Sequence, residues 1–308
     1  MSTRVAQLVG FVALLALLAL PGCAGMRVRS ASRDLTIVED VAYLPDGDPK
    51  HELDLYVPHG ATSLPVILFV HGGFWRGQDR RYFQAFTGIY GNAGVALARQ
   101  GFAVAVQSYR LSPGVGIKDQ MSDLVAALRW VEEHIASYGG DPTRVVLVGY
   151  SAGGHLATLL GLDRSYLAGA GLDASRIRGL VSISGILDVH EMATGQDASF
   201  NEEVTYRLFG RTAVSQAALS PSSFVRADAP PLLTFAAERD YPFVRAAARG
   251  VAEHLASLGA RATFHDVPGH DHGDMVLNFN SDRDVLSEPI GAFAHSVADP
   301  VVRPAGVE

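Results

Sequence analysis

The chain has a single cysteine, Cys23, in 308 residues. One thiol closes no intramolecular disulfide and builds no cysteine metal site. Basic charge is also scarce: Lys and Arg total 25 against 32 Asp and Glu, a net charge of −7. No long basic run occurs, and the only short cluster is Arg27, Arg29 and Arg33 near the N-terminus. That excludes the basic face of a nucleic-acid binder. An apolar stretch long enough to cross a bilayer is missing too. The longest, residues 8–20, is thirteen residues, whereas a spanning helix needs about 20. Charged residues are only 19% and hydrophobic residues 48%, which excludes global disorder and supplies a sizeable core. Glycine, by contrast, is abundant at 32 residues, a sign of tight turns and close backbone approaches.

The short apolar run follows a polar start with Arg4 and leads into Leu20-Pro21-Gly22-Cys23. Its length suits the apolar core of a secretory signal. The four residues resemble the lipobox of bacterial lipoproteins, with Pro21 where a small residue is usual. That resemblance implies a signal peptide over residues 1–22, a lipid on Cys23 and a tether over residues 23–33. Ordinary cleavage after Ala24 is the alternative. The expected location is outside the cytoplasm, membrane-anchored through Cys23 or else secreted.

From residue 34 to 299 the pattern is that of one domain, with a loose tail over residues 300–308. Residues 35–43 and 52–57 read as strands around the turn Pro45-Asp46-Gly47-Asp48-Pro49. Short unbroken apolar runs follow at 66–70, 102–106, 145–148, 180–183 and 232–235, with a late strand at 262–267. Unbroken rather than alternating runs suit strands buried on both faces of a parallel sheet. Helical spacing links Met121, Leu124, Val125, Leu128 and Ile135, and again Val251, Leu255 and Leu258 before Gly259. Strands alternating with helices predict an α/β fold with a mostly parallel sheet. Residues 185–220 are irregular and partly helical, the expected lid insertion over the C-terminal edge of the sheet.

Two motifs carry chemistry. Gly149-Tyr150-Ser151-Ala152-Gly153-Gly154 directly follows a strand and leads into a helix. That is the setting of a nucleophile elbow, where a strained turn lifts a serine hydroxyl above the strand end. Tiny neighbours are required, which Gly149 and Gly153 supply. His71-Gly72-Gly73-Phe74-Trp75 follows the 66–70 strand without a gap. Glycines there let backbone N–H groups point at a developing oxyanion. Gly73, Phe74 and Ala152 are the expected donors. His71 is expected to brace its loop, and Trp75 and Tyr150 are candidate walls of the substrate pocket.

In this order the motifs resemble the α/β-hydrolase superfamily. The histidine-glycine-glycine-aromatic-tryptophan form resembles acetyl/feruloyl-esterase-like carboxylesterases and their arylformamidase and prenylcysteine-methylesterase relatives. Ser108-Tyr109-Arg110-Leu111-Ser112-Pro113 and Gly139-Gly140-Asp141-Pro142-Thr143-Arg144 extend the likeness, which covers about residues 53–293. It implies an α/β-hydrolase fold, with Tyr109, Arg110, Asp123 and Asp141 as scaffold. It also implies the chain order serine, acid, histidine. Asp240, in the loop leaving the 232–235 strand, then matches the acid, with Glu238 and Asp188 as alternatives. His272 matches the base, followed by a small residue, an acid and a methionine. His270 is second; His155, one helical turn after Ser151, points away from it. A metal site using His270, His272 and nearby aspartates competes with that assignment.

The resemblance implies a serine carboxylesterase acting on short-chain acyl or acetyl esters of small molecules, with no cofactor. An arylformamidase-type amidase, a serine peptidase and a non-catalytic binding lipoprotein are the other readings. Oligomeric state is not readable from the sequence.

Overall fold

The structure, a computed structural model, describes residues 32–84 and 88–299. The expected signal peptide, Cys23, most of the tether and the tail at 300–308 lie outside the described residues. Among the described residues no helix is long and apolar enough to cross a membrane.

Eight strands form one sheet: β1 Leu35–Ala42, β2 Glu52–Pro58, β3 Leu64–Val70, β4 Ala103–Gln107, β5 Gly140–Tyr150, β6 Ile177–Ile183, β7 Leu232–Arg239 and β8 Ala262–Asp271. Their order is β1-β2-β4-β3-β5-β6-β7-β8. Pairing is antiparallel for β1–β2 and β2–β4, and parallel from β4 through β8. Five longer helices pack on it: α1 Ile89–Arg99, α2 Ile117–His134, α3 Ala152–Leu162, α4 Pro242–Ser257 and α5 Ser287–Ala298. This is the expected mostly parallel α/β architecture.

The unbroken apolar runs follow from burial on both sheet faces. Along β3, Val66, Leu68 and Val70 face one core, into which α2, α3 and part of α4 pack. Ile67 and Phe69 face the other, covered by α1 and α5. β5 repeats the alternation with Val145 and Leu147 against Val146 and Val148. The edge strand β1, by contrast, has mostly half-buried and exposed residues.

The chain leaves β3 toward β4 and then returns to β5 on the other side of β3, with Val70 paired to Gly149. A crevice opens at such a switch point, outside the carboxyl ends of the strands. Both motifs identified in the sequence sit at that edge. Between β6 and β7 the expected insertion is present as short helices, Val189–Gly195, Ala198–Phe200, Tyr206–Phe209 and Ala213–Ala217, with a π-helical turn at Asn201–Thr205. It lies against the same edge, with Phe200 edge-on to Phe74 at 5.7 Å and Phe209 edge-on to Trp75 at 5.0 Å.

Candidate active site

Ser151 occupies the single residue between β5 and α3, with φ 53° and ψ −118°. Such a left-handed φ is costly for a side-chain residue and persists only where the surroundings impose it. Here the imposition is backbone against backbone. A Cβ at Gly149 would lie 2.2 Å from the Gly153 carbonyl oxygen, and one at Gly153 would lie 2.1 Å from that of Val70. The Ser151 N–H donates to Ile183 O at 2.9 Å, tying the turn to β6. The turn therefore seats the start of α3 directly on the end of β3.

Two further strand ends reach the serine. His272 follows β8, and the Ser151 hydroxyl donates to its Nε2 over 3.0 Å. Asp240 follows β7 and accepts from His272 Nδ1 at 2.7 Å through Oδ1. This fixes the imidazole with its free nitrogen toward the serine, the tautomer that can take up the hydroxyl proton. Burial opposes ionisation of Asp240, whose side chain is 0% exposed. The hydrogen bond and charge of His272, the Ser184 hydroxyl and the Ala237 N–H outweigh it and hold the carboxyl below its usual range. The Tyr241 N–H adds a bond to Oδ1 at 2.9 Å.

The other candidates are engaged elsewhere. His270 is half-buried, and its Nδ1 donates to Pro268 O at 2.7 Å. Glu238 accepts from the Gly269 N–H at 2.7 Å, bracing the loop that carries both histidines. Asp188 caps the helix Val189–Gly195 and accepts from the Ser222 hydroxyl at 2.8 Å. His71 is fully buried and stacks on Tyr109 at 4.2 Å, with Nδ1 donating to Gly72 O at 2.7 Å. Burial pushes its pKa down to about 4. Asp123 holds Arg110 and accepts from His51, and Asp141 holds Arg144. Among the described residues no group of three or more His, Cys, Asp or Glu gathers to hold a metal ion.

The loop after β3 turns at Gly73, whose φ is +107° and where a Cβ would meet Gly77 O at 2.2 Å. Gly72 cannot supply an oxyanion donor, because its N–H is spent on the Tyr90 hydroxyl at 3.0 Å. That hydroxyl in turn donates to the Gln78 side chain. The N–H groups of Gly73, Phe74 and Ala152 meet no acceptor among the described residues. The far end of the loop is pinned by buried Arg80, whose Nε donates to Asp54 at 3.0 Å.

The two residues expected as pocket walls are both buried and hydrogen-bonded. Trp75 is fully buried, its indole donating to His155 Nδ1 at 3.2 Å. Tyr150 is only 6% exposed and its hydroxyl donates to His272 O at 2.8 Å. Phe74 is the most exposed residue of this loop, at 39%. Three contributors have no sequence signal of their own: Ser184 behind the acid, Tyr90 on Gly72, and Tyr241, whose ring stands edge-on to His272 at 5.2 Å.

The BD-FAE family profile matches residues 53–251. A probable isoprenylcysteine alpha-carbonyl methylesterase, ICMEL1 of Oryza sativa subsp. japonica, is 31% identical over 265 residues, covering 80% of this chain and 60% of that protein. Esterase LipC of Mycobacterium tuberculosis is 30% identical over 264 residues, covering 82% of this chain and 62% of its own length. The chain thus spans about 60% of the length of these relatives. Among solved structures, a truncated carbohydrate esterase from gut microbiota superposes with a TM-score of 0.73 at 24% identity, over 86% of this chain and 97% of that one. At that identity the likeness speaks to the fold.

Proposed function

Because the chain belongs to the BD-FAE family, we propose that it is a serine esterase that hydrolyses short-chain acyl or acetyl esters of small molecules through an acyl-enzyme. The observation that carries this reading is the unbroken chain of hydrogen bonds from Ser151 through His272 to Asp240, at 3.0 and 2.7 Å. In this reading the Ser151 oxygen attacks the ester carbonyl while His272 Nε2 takes its proton. Asp240 holds the imidazole in place and stabilises the imidazolium. The N–H groups of Gly73, Phe74 and Ala152 receive the oxyanion; one such donor is commonly worth about 10²–10³ in rate. The imidazolium then protonates the departing alcohol, and water, deprotonated by His272, releases the acid. Every group these steps require is on the chain, so the reaction calls for no cofactor.

The test is labelling by a fluorophosphonate together with turnover of p-nitrophenyl acetate. Ser151→Ala should abolish both while leaving the thermal midpoint nearly unchanged. Normal turnover in that variant would sink the reading. Faster turnover of N-formylkynurenine than of any ester would move it to an amidase.

The same reading places the enzyme outside the cytoplasm, with Cys23 lipidated and residues 23–33 as the tether to the membrane. The support is the thirteen-residue apolar run ending beside the only cysteine. Detergent phase partitioning of the mature protein from a bacterial host checks this. Wild type should enter the detergent phase, and Cys23→Ser should stay uncleaved or become soluble.

A further inference from the structure

His155 joins two segments that frame Ser151, although it is excluded as the base. It lies in the first turn of α3 and is fully buried. Both ring nitrogens are used. Nδ1 accepts from the Trp75 indole at 3.2 Å, and Nε2–H donates to the main-chain carbonyl of Leu219 at 2.7 Å. Trp75 belongs to the oxyanion loop, two residues after Gly73. Leu219 lies at the end of the insertion between β6 and β7. The rings of Trp75, His155 and Phe209 also meet edge to face, with centroids 5.0 to 5.4 Å apart.

The two bonds make opposite demands. One nitrogen must accept and the other donate, which only the neutral imidazole can do. Burial agrees, pushing the His155 pKa down to about 4. The loop it grips needs restraint. Phe74 and Trp75 both have left-handed backbones, φ 53° and 60°, a conformation that side-chain residues keep only under constraint from neighbours. The Trp75 carbonyl is held by the Ser112 N–H at 2.9 Å and the Gln120 amide at 2.8 Å. His155 holds the other end of the residue, its side chain.

We propose that His155 is a positioning residue: by linking Trp75 to Leu219 it sets the Gly73 and Phe74 N–H groups on the oxyanion and keeps the insertion in register with them. The inference rests on the serine-esterase reading above. His155 touches no reacting atom, since both its nitrogens are occupied by the protein.

Three substitutions separate the two bonds. Asparagine places an amide oxygen near the Nδ1 position, glutamine places an amide N–H near Nε2, and leucine offers neither. His155→Leu should lower kcat on p-nitrophenyl acetate about 10- to 100-fold with KM changed less than about threefold, the signature of displaced transition-state donors. His155→Asn should keep more of kcat than His155→Gln, because it retains the acceptor for Trp75. Fluorophosphonate labelling should slow in parallel with kcat. Trp75→Phe keeps one aromatic ring and deletes the N–H together with the pyrrole half of the indole, so its thermal midpoint is measured alongside. The variant should reproduce the fall in kcat and combine with His155→Leu less than additively, since both remove the bond between Trp75 and His155. An unchanged kcat in His155→Leu or an additive cycle overturns the inference. So does equal loss in the asparagine and glutamine variants that tracks the thermal midpoint. If His155→Leu does not fold, Trp75→Phe decides alone, and normal kcat there overturns it. A wild type that neither turns over esters nor labels sinks the esterase reading instead. An active wild type with indifferent variants sinks this inference only.

Discussion

The hydroxyl of Tyr150 donates to the main-chain carbonyl of His272 at 2.8 Å, so the residue before Ser151 holds the backbone of the proposed base. The bond spans the sheet from the end of β5 to the loop after β8, and it is shielded from water because Tyr150 is 6% exposed. Elbow and base loop are thereby fixed to each other independently of the Ser151–His272 bond itself. Tyr150→Phe keeps the ring and frees the loop. Steady-state kinetics should show kcat reduced about 3- to 10-fold with KM nearly unchanged, as for a small misplacement of a catalytic group.

The two histidines of the β8 loop should behave very differently. His272→Ala removes the only imidazole within reach of Ser151 among the described residues, and turnover should fall by about 10²–10⁴, the usual worth of a general base. His270→Ala loses an exposed bond to Pro268 O and should leave turnover within about twofold, since changes at exposed sites away from such features are small. The reverse ranking would transfer the base to His270.

What the sequence makes legible depends on how far apart the partners lie. The elbow is readable because strand, glycine-flanked serine and helix are consecutive. Strands β3 to β7 are readable because burial on both faces leaves unbroken apolar runs. The pairing of Ser151 with His272, 121 residues away, follows only from the resemblance, since no local pattern encodes it. α1 and α3 are buried along nearly their whole length, and a helix without a polar face shows no amphipathic period. That Phe209 of the insertion packs against the Trp75 ring is not encoded in either segment alone. The partner of His155, the Leu219 carbonyl, lies 64 residues further on. Which of the two neighbouring glycines offers its N–H is likewise invisible until Tyr90 is seen to occupy Gly72.

The glycines of the elbow should not tolerate a methyl group. At Gly149 and Gly153 the added carbon would press on main-chain oxygens at 2.2 and 2.1 Å, and a backbone cannot swing aside as a side-chain tip can. Either alanine variant should lose about 1–3 kcal/mol or more of stability, as overpacking does. Whatever folds should also lose turnover, because relief of the clash moves Ser151 away from Nε2. Urea denaturation and kinetics on the same preparations check both parts. Gly250→Ala, at a helical position where a Cβ meets nothing within 4 Å, is the control and should be neutral or slightly stabilising.

Acid should weaken the fold well before the carboxylates titrate. His71 and His155 are fully buried, and burial pushes each pKa down to about 4 from an ordinary value of about 6.5. As pH falls from 6.5 toward 4, the unfolded chain takes up protons at both positions and the folded chain does not. Each histidine therefore removes roughly 1 kcal/mol of stability per pH unit across that window. Below about pH 4 the folded state protonates them as well and the loss levels off. Asp240 adds to the loss further down. Its folded pKa lies below the usual value of 3.8, so the stability it contributes is present above that value and disappears as pH falls through the folded pKa. Urea midpoints measured at pH 7, 6, 5 and 4 should decline steadily. In His155→Asn the decline should be shallower, with only His71 left to contribute. A wild-type midpoint that stays level from pH 7 to 5 would mean that neither imidazole is kept neutral by burial.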